Sequence, residues 1–164
     1  MADVLTREQR RLNMSRIRGQ DTQPELVLRR GLHRRGLRYR LHRNDLPGKP
    51  DLVFPTSRGV ILVHGCFWHL HNCPRFKWPK TRQEFWRAKI ERNRERDRAV
   101  LEDLIEAGWR VQVVWECALR GTGRRLIEDV LDLCEAFVRS ESDDFAEVAG
   151  EWGRSGEVRH DLRG

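Results

Sequence analysis

The chain has 164 residues, with 32 Lys and Arg against 25 Asp and Glu, a formal net charge of +7. That length suits one domain with one core. The longest uninterrupted apolar run, Val60 to Val63, is far shorter than the about 20 residues of a membrane-spanning helix, so such a helix is excluded.

The first fifteen residues, MADVLTREQRRLNMS, contain no apolar signal region. The expected compartment is therefore a reducing cytoplasm, and the four cysteines read as thiols or metal ligands rather than disulfides. Residues 135–164 hold 8 acids and 4 bases, which leaves a net +11 on residues 1–134. A basic body of this kind points first to nucleic acid. The bases are 28 Arg and only 4 Lys, a bias that codon composition explains better than phosphate chemistry does.

In chain order, residues 1–20 read as a mobile N-terminal segment. Asp21 or Thr22 caps a helix with Pro24 in its first turn; the helix runs through Leu26, Leu28 and Leu32 and stops at Gly36. Leu37 to His42 reads as a short strand. Asp51 to Phe54 and Gly59 to His64 read as an adjacent pair of strands joined by Pro55 to Arg58. Residues 65–80, rich in Cys, His, Trp and Pro, follow neither periodicity. Thr81 and Glu84 form a capping box for the longest helix, which reaches Ala107 with Gly108 as its stop. Trp109 to Trp115 is a further strand and Arg124 to Val138 a last amphipathic helix. The expected architecture is an α/β mixed sheet flanked by helices over residues 21–138, with an acidic, disordered tail over 139–164.

Several residues break these patterns. On the long helix Trp86, Ile90, Asn93, Asp97, Leu101 and Leu104 share one face, and two polar residues interrupt it. Glu25 shares a face with Leu28 and Leu32, where the plain reading is a carboxylate favoured by the helix dipole. Asp51 opens one strand and His64 closes the next, so an acid and an imidazole can meet at one sheet edge. Cys66, His71 and Cys73 have the spacing C-x4-H-x-C, and Cys117 follows a strand that can return beside them. Soft S and N donors in a closed set of four favour a structural, tetrahedral zinc. His64 and His69 compete for the same ion, and a cluster of free thiols is the alternative. Cys134 falls in the apolar pattern of the last helix and reads as a core thiol. Phe67, Trp68 and Trp86 pack by default as a small core beside the metal; in a basic protein they also suit a wedge that unstacks a base step.

The segments PGKPDLVF, VHGCFWHLHNC, TRQEFWRAKIERNRERDR and GWRVQVVWECALRG resemble the very-short-patch-repair (Vsr) DNA mismatch endonucleases over about Asn13 to Gly121. The resemblance implies a variant of the restriction-endonuclease, PD-(D/E)xK, fold with a structural zinc. It implies a Mg2+-dependent enzyme of DNA repair that recognises the T:G mismatch left by 5-methylcytosine deamination and nicks the backbone 5′ of the mismatched T. Asp51 then corresponds to the magnesium carboxylate, joined by the main-chain carbonyl of Val63. His69 acts on the attacking water or its phosphate, with His64 and Glu25 assisting and Asp97 orienting a histidine. Zinc is held by Cys66, His71, Cys73 and Cys117. Phe67, Trp68 and Trp86 form a wedge in the major groove, Met14 approaches the minor groove, and Lys89 and Asn93 contact the mismatch.

The fold's usual (D/E)-x-K is missing after Asp51, where Val63 and His64 stand instead, which favours this family over generic nucleases. The implied partner is double-stranded DNA with a T:G mismatch, with a MutL-type repair protein as a second partner. A monomer acting at the nucleoid is expected. Two other readings remain at this point: a zinc-containing mismatch-binding module without hydrolysis, and a nuclease of the same fold with different specificity.

Overall fold

A computed structural model describes residues 6–16, 19–141 and 143–152. It contains, in order, α1 (Arg7–Arg16), α2 (Gln23–Arg34), β1 (Arg40–Leu41), β2 (Leu52–Phe54), β3 (Gly59–His64), α3 (Gln83–Glu106), β4 (Arg110–Trp115), α4 (Glu116–Leu119), α5 (Ile127–Arg139) and β5 (Phe145–Val148). The strands form one sheet in the order β1-β2-β3-β4-β5. Its first two pairings are antiparallel and its last two parallel. The sheet is thus mixed, as its two helical crossovers require. Among the described residues no helix is long and apolar enough to cross a membrane.

The central strands β2, β3 and β4 are largely buried on both faces, and their successive side chains divide between two cores. Leu52, Phe54, Ile61 and Val114 pack with Leu28 and Leu32 of α2 and Val130, Leu131 and Phe137 of α5. Val53, Val60, Leu62, Val111, Val113 and Trp115 pack on the other side with Leu101 and Leu104 of α3. A sheet buried on both faces needs a helical layer on each. Cys134 is fully buried in the first core, and its thiol is pushed up to about 12 by burial.

The helix ends follow local chemistry where the residues allow it. Thr22 caps α2 and its side chain accepts the Glu25 amide. After α2, Gly36 (φ 85°) closes a Schellman turn in which Leu37 N–H donates to Leu32 and Gly36 N–H to His33. That use of Leu37 shortens the expected strand 37–42 to Arg40–Leu41, because His42 at φ 46° already leaves the extended region. The expected capping box does not form. Arg82, in the left-handed region, is the N-cap of α3 with no side-chain bond, and Thr81 stands one residue too early to reach the free amides. The last helix begins at Ile127 rather than Arg124, since Gly121 to Leu126 are used as a turn.

Both chain ends carry secondary structure. Within the segment read as mobile, Arg7–Arg16 is helical; the side chain of Met14 lies outside the described residues. The tail is not disordered throughout. Phe145–Val148 pair with Val111–Val114 as the fifth strand, because Phe145 and Val148 gain burial against the sheet. Residues 153–164 lie outside the described residues.

Candidate active site and metal centre

In open α/β sheets ligands bind beyond the carboxyl ends of the parallel strands, and β3 and β4 are parallel neighbours whose last pair is His64 and Trp115. Two residues past each strand end come Cys66 and Cys117. One strand pair therefore feeds two centres, a cleft on one side and a buried sulfur cluster on the other.

The cleft has a volume of about 1480 Å³, and Asp51, His64, His69 and Asp97 line it. Asp51 stands just before β2. Its Oδ2 accepts the Val63 N–H at 2.7 Å, which locks the carboxylate to β3. Continuing the β2–β3 register sets Pro50 against Val63, and proline has no N–H to give. The ladder thus offers the Val63 carbonyl no donor at the point where the Asp51 carboxylate sits.

Behind Asp51 is a second buried acid. Glu25 is 1% exposed, and its carboxylate accepts from Asp21 N–H (3.0 Å), Arg29 Nη1 (3.2 Å) and His42 Nε2 (2.7 Å). His42 Nε2 also stands 3.8 Å from Asp51 Oδ1, so one imidazole lies between two carboxylates. His42 reaches this place through the left-handed backbone noted above, a strain of about 1 to 3 kcal/mol. Burial, reinforced by the charge of Glu25, pushes the Asp51 carboxyl up to about 7, despite the opposing Val63 N–H. An acid so placed favours a cation beside it.

Across the cleft, His69 donates its Nδ1 proton to Asp97 Oδ2 at 2.5 Å, since a carboxylate only accepts. This fixes the tautomer and leaves Nε2 as the basic nitrogen. The His69 ring stacks on His64 with centroids 3.8 Å apart and 2° between planes. Burial and the neighbouring His69 hold His64 well below the ordinary imidazole range, so the stacked pair avoids two adjacent charges.

Cys66, His71, Cys73 and Cys117 are all buried, with donor atoms within 4.8 Å of one another. His71 Nδ1 lies 3.5 Å from both Cys66 Sγ and Cys117 Sγ. Tetrahedral zinc with ordinary bond lengths separates S and N donors by about 3.6 Å, so this set fits the ion. The Cys66 thiol, then the His71 and Gly150 donors, pull the Cys117 thiol below its ordinary range. The hydrogen bond to Cys117, then burial, push Cys66 up. Trp115 backs the site, its ring stacked on His71 with centroids 4.1 Å apart. Asp21, Glu25 and His42 form another close donor group, but Arg29, 2.6 Å from Asp21 and 3.2 Å from Glu25, already supplies its positive charge.

The loop between Cys66 and His71 carries Phe67 and Trp68, and α3 carries Trp86. Phe67 meets Trp68 and Trp86 edge-on at 5.0 and 5.4 Å, and Trp68 and Trp86 are 6.0 Å apart. Lys89 Nζ lies 5.3 Å from the Trp68 ring centre and 5.6 Å from that of Trp86. Asn93 Nδ2 donates to the Trp68 carbonyl at 3.1 Å. All five residues are only half-buried, so the rings are presented at the surface rather than consumed by a core. Lys49, Lys89, Arg96 and Arg120 add positive charge to the cleft lining.

Known proteins match this chain. A family model described as DNA mismatch endonuclease Vsr covers residues 2–75. The DNA mismatch endonuclease Vsr of Escherichia coli is 46% identical over 141 residues, spanning 86% of this chain and 90% of that protein. The chain belongs to the Vsr family of DNA mismatch endonucleases. Two further relatives bear nicking-enzyme names: V.XorIIP of Xanthomonas oryzae pv. oryzae, a type II nicking enzyme 50% identical over 75% of this chain and 90% of its own length, and V.NmeAIP of Neisseria meningitidis, 36% identical over 80% of this chain and 99% of its own length.

For this Vsr-family chain, the structure gathers the residues singled out from the sequence into three groups: Asp51, His64, His69 and Asp97 at the cleft, with Glu25 behind it; Cys66, His71, Cys73 and Cys117, which could hold a metal; and the ring cluster with Lys89 and Asn93. Sequence reasoning missed His42, because a single histidine after a two-residue strand carries no spacing signal. It also missed Phe76, stacked 6.0 Å from Phe67, and Phe85, 43% exposed and 5.3 Å from Trp86. The density of aromatics between residues 67 and 86 is the signal that marks both.

Proposed function

We propose that this protein is a strand-specific, Mg2+-dependent nicking endonuclease that recognises T:G mismatches produced by 5-methylcytosine deamination and cuts 5′ of the mismatched T, starting very short patch repair. The observation that carries this reading is the cleft itself. A locked carboxylate, Asp51, shares it with the His69–Asp97 pair, beside a surface of three aromatic rings. Nothing in a binding module calls for that acid and that histidine pair together. We read the sheet as a PD-(D/E)xK variant in which histidine chemistry stands in place of the (D/E)-x-K acid.

In this mechanism Asp51 and the Val63 carbonyl hold magnesium, whose chemistry is to stabilise charge on the phosphate and favour ionisation of water. His69 Nε2, left basic by the Asp97 contact, takes the proton of the attacking water, and Asp97 stabilises the imidazolium that results. His64, neutral and stacked on His69, keeps that ring in one plane. Glu25 acts from behind Asp51, through His42 and its own charge. Cys66, His71, Cys73 and Cys117 hold zinc as a closed structural set.

The rings of Phe67, Trp68 and Trp86 enter the base stack from the major groove while Lys89 and Asn93 address the mismatch. Unstacking costs a few kcal/mol, least at a mispair, which is how a wedge gains selectivity. Met14 approaches the minor groove. The protein works as a monomer at the nucleoid, and a MutL-type protein is its expected repair partner.

The test is a nicking assay on strand-labelled duplexes, T:G against C:G in the same CTWGG-type context, with and without Mg2+ at stated salt. One Mg2+-dependent cut 5′ of the mismatched T is expected. Mismatch-selective binding without a cut, or equal cutting of both duplexes, overturns the reading.

A further inference from the structure

Beyond the sheet edge, the chain after β5 returns to the Cys66, His71, Cys73 and Cys117 cluster. We propose that residues 149–152 are the outer cover of the Cys66, His71, Cys73 and Cys117 centre, the Gly150 amide and the Trp152 ring keeping its metal in place. The inference rests on the structural-zinc reading above.

Four observations carry it. Gly150 N–H donates to Cys117 Sγ at 3.2 Å. That approach demands glycine, because a Cβ there would stand 2.6 Å from the Cys117 carbonyl and 2.8 Å from that of Gly123. The segment is clamped on either side of this contact: Arg125 Nε donates to the Ala149 carbonyl at 2.6 Å, Glu151 N–H to the Gly123 carbonyl at 2.7 Å, and Arg125 pairs with the Glu151 carboxylate at 2.7 Å. The Trp152 ring lies on Gly123, where a Cβ would meet it at 2.3 Å. Finally, Ala149 and Trp152 pack against the buried cluster that contains Cys66, Cys73 and Cys117. β5 reaches the centre by a second route, since Trp115, stacked on His71, donates its Nε1–H to Glu147 at 3.2 Å.

The chemistry follows from the donor set. Three thiolates on one divalent ion leave the centre with excess negative charge, and an N–H aimed at sulfur offsets part of it. Such outer contacts are worth about 10- to 100-fold in metal affinity. The Trp152 ring adds a barrier to water and competing ligands. The segment with no role in the sequence reading thus becomes part of the metal site.

The experiment uses the full-length, zinc-loaded protein and measures metal content, then the rate of zinc transfer to an excess of chromogenic chelator. Gly150→Ala shifts the amide, and Trp152→Ala removes the ring. Leu28→Ala, in the core on the other face of the sheet, controls for general loosening. Both tail variants should release zinc on the order of 10-fold faster than the parent, with Leu28→Ala unchanged below its melting temperature. Stoichiometric zinc released at the parental rate by both tail variants overturns the proposal, as does equal acceleration by Leu28→Ala. A parent protein that contains no zinc overturns the structural-zinc reading instead. If Trp152→Ala does not fold, Gly150→Ala alone decides the same question.

Discussion

The placement of Asp51 predicts that its charge opposes folding until a cation arrives. In the Mg2+-free protein its carboxyl is pushed from an ordinary 3.8 up to about 7 by burial and by Glu25. The folded chain therefore binds this proton more tightly than the unfolded chain, and stability falls as pH rises between these values. For a folded value near 7, the loss between pH 6 and pH 8 is about 1.4 kcal/mol, within a full range on the order of 4 kcal/mol. This window also avoids the acid that would protonate the zinc donors. The perturbation is Asp51→Asn, which removes the titration. Urea unfolding of zinc-loaded, Mg2+-free protein should show the parent losing about 1.4 kcal/mol more than the variant from pH 6 to pH 8. Mg2+ should restore the parent at pH 8 and leave the variant unmoved. Equal pH slopes for the two proteins would refute the argument, since the buried anion would then carry no penalty.

Other residues give sharper single tests. Asp97→Asn removes the charge that orients His69; single-turnover nicking should fall on the order of 100-fold, while mismatch binding in a gel shift stays near the parental level. Trp68→Ala takes one ring from the wedge, and fluorescence anisotropy at fixed salt should show T:G binding weakened by about 10-fold, with less preference over C:G. Leu104→Ala in the fully buried face of α3 should cost about 2 to 5 kcal/mol in urea unfolding, with the metal donors still in place.

Much of the fold was legible because its elements carry strong periodicity. The apolar runs at Asp51 to Phe54 and Gly59 to His64 do form an antiparallel pair, and Leu101 and Leu104 do face the sheet from the long helix. The clustering of Cys66, His71, Cys73 and Cys117 was legible because three of the four lie within eight residues and the fourth follows a strand parallel to β3. What escaped depends on tertiary contact. Phe145–Val148 is too short and too acidic in its surroundings to announce a strand, and it becomes one only because β4 offers an open edge. Thr81 and Glu84 have the spacing of a capping box, yet the left-handed Arg82 takes the N-cap place, which leaves Thr81 outside the helix and Glu84 within its first turn. His42 acquires its neighbours only when α2 and β2 are brought together by the sheet.

The two centres are coupled by one short loop. Cys66 and His71 bracket Phe67, Trp68 and His69, and this loop is turned on itself: His69 N–H donates to Gly65 at 3.2 Å and His71 N–H to Cys66 at 2.9 Å, with Leu70 in the left-handed region. In the proposed function, anchoring Cys66 and His71 to a common ion with Cys73 and Cys117 would therefore hold Phe67, Trp68 and His69 between two fixed points. Outside this loop, His69 is held through Asp97 of α3, and Trp68 through Asn93 of the same helix. Without such an ion the loop would rest on those two side-chain contacts, the Cys66 N–H to Glu116 Oε2 at 3.3 Å and the ring contacts of Phe67 with Trp86 and of Trp68 with Lys89. In the proposed function a structural ion a few residues from His69 would thus do for it what α3 does for Asp97: make the geometry of the pair a property of the fold rather than of bound DNA.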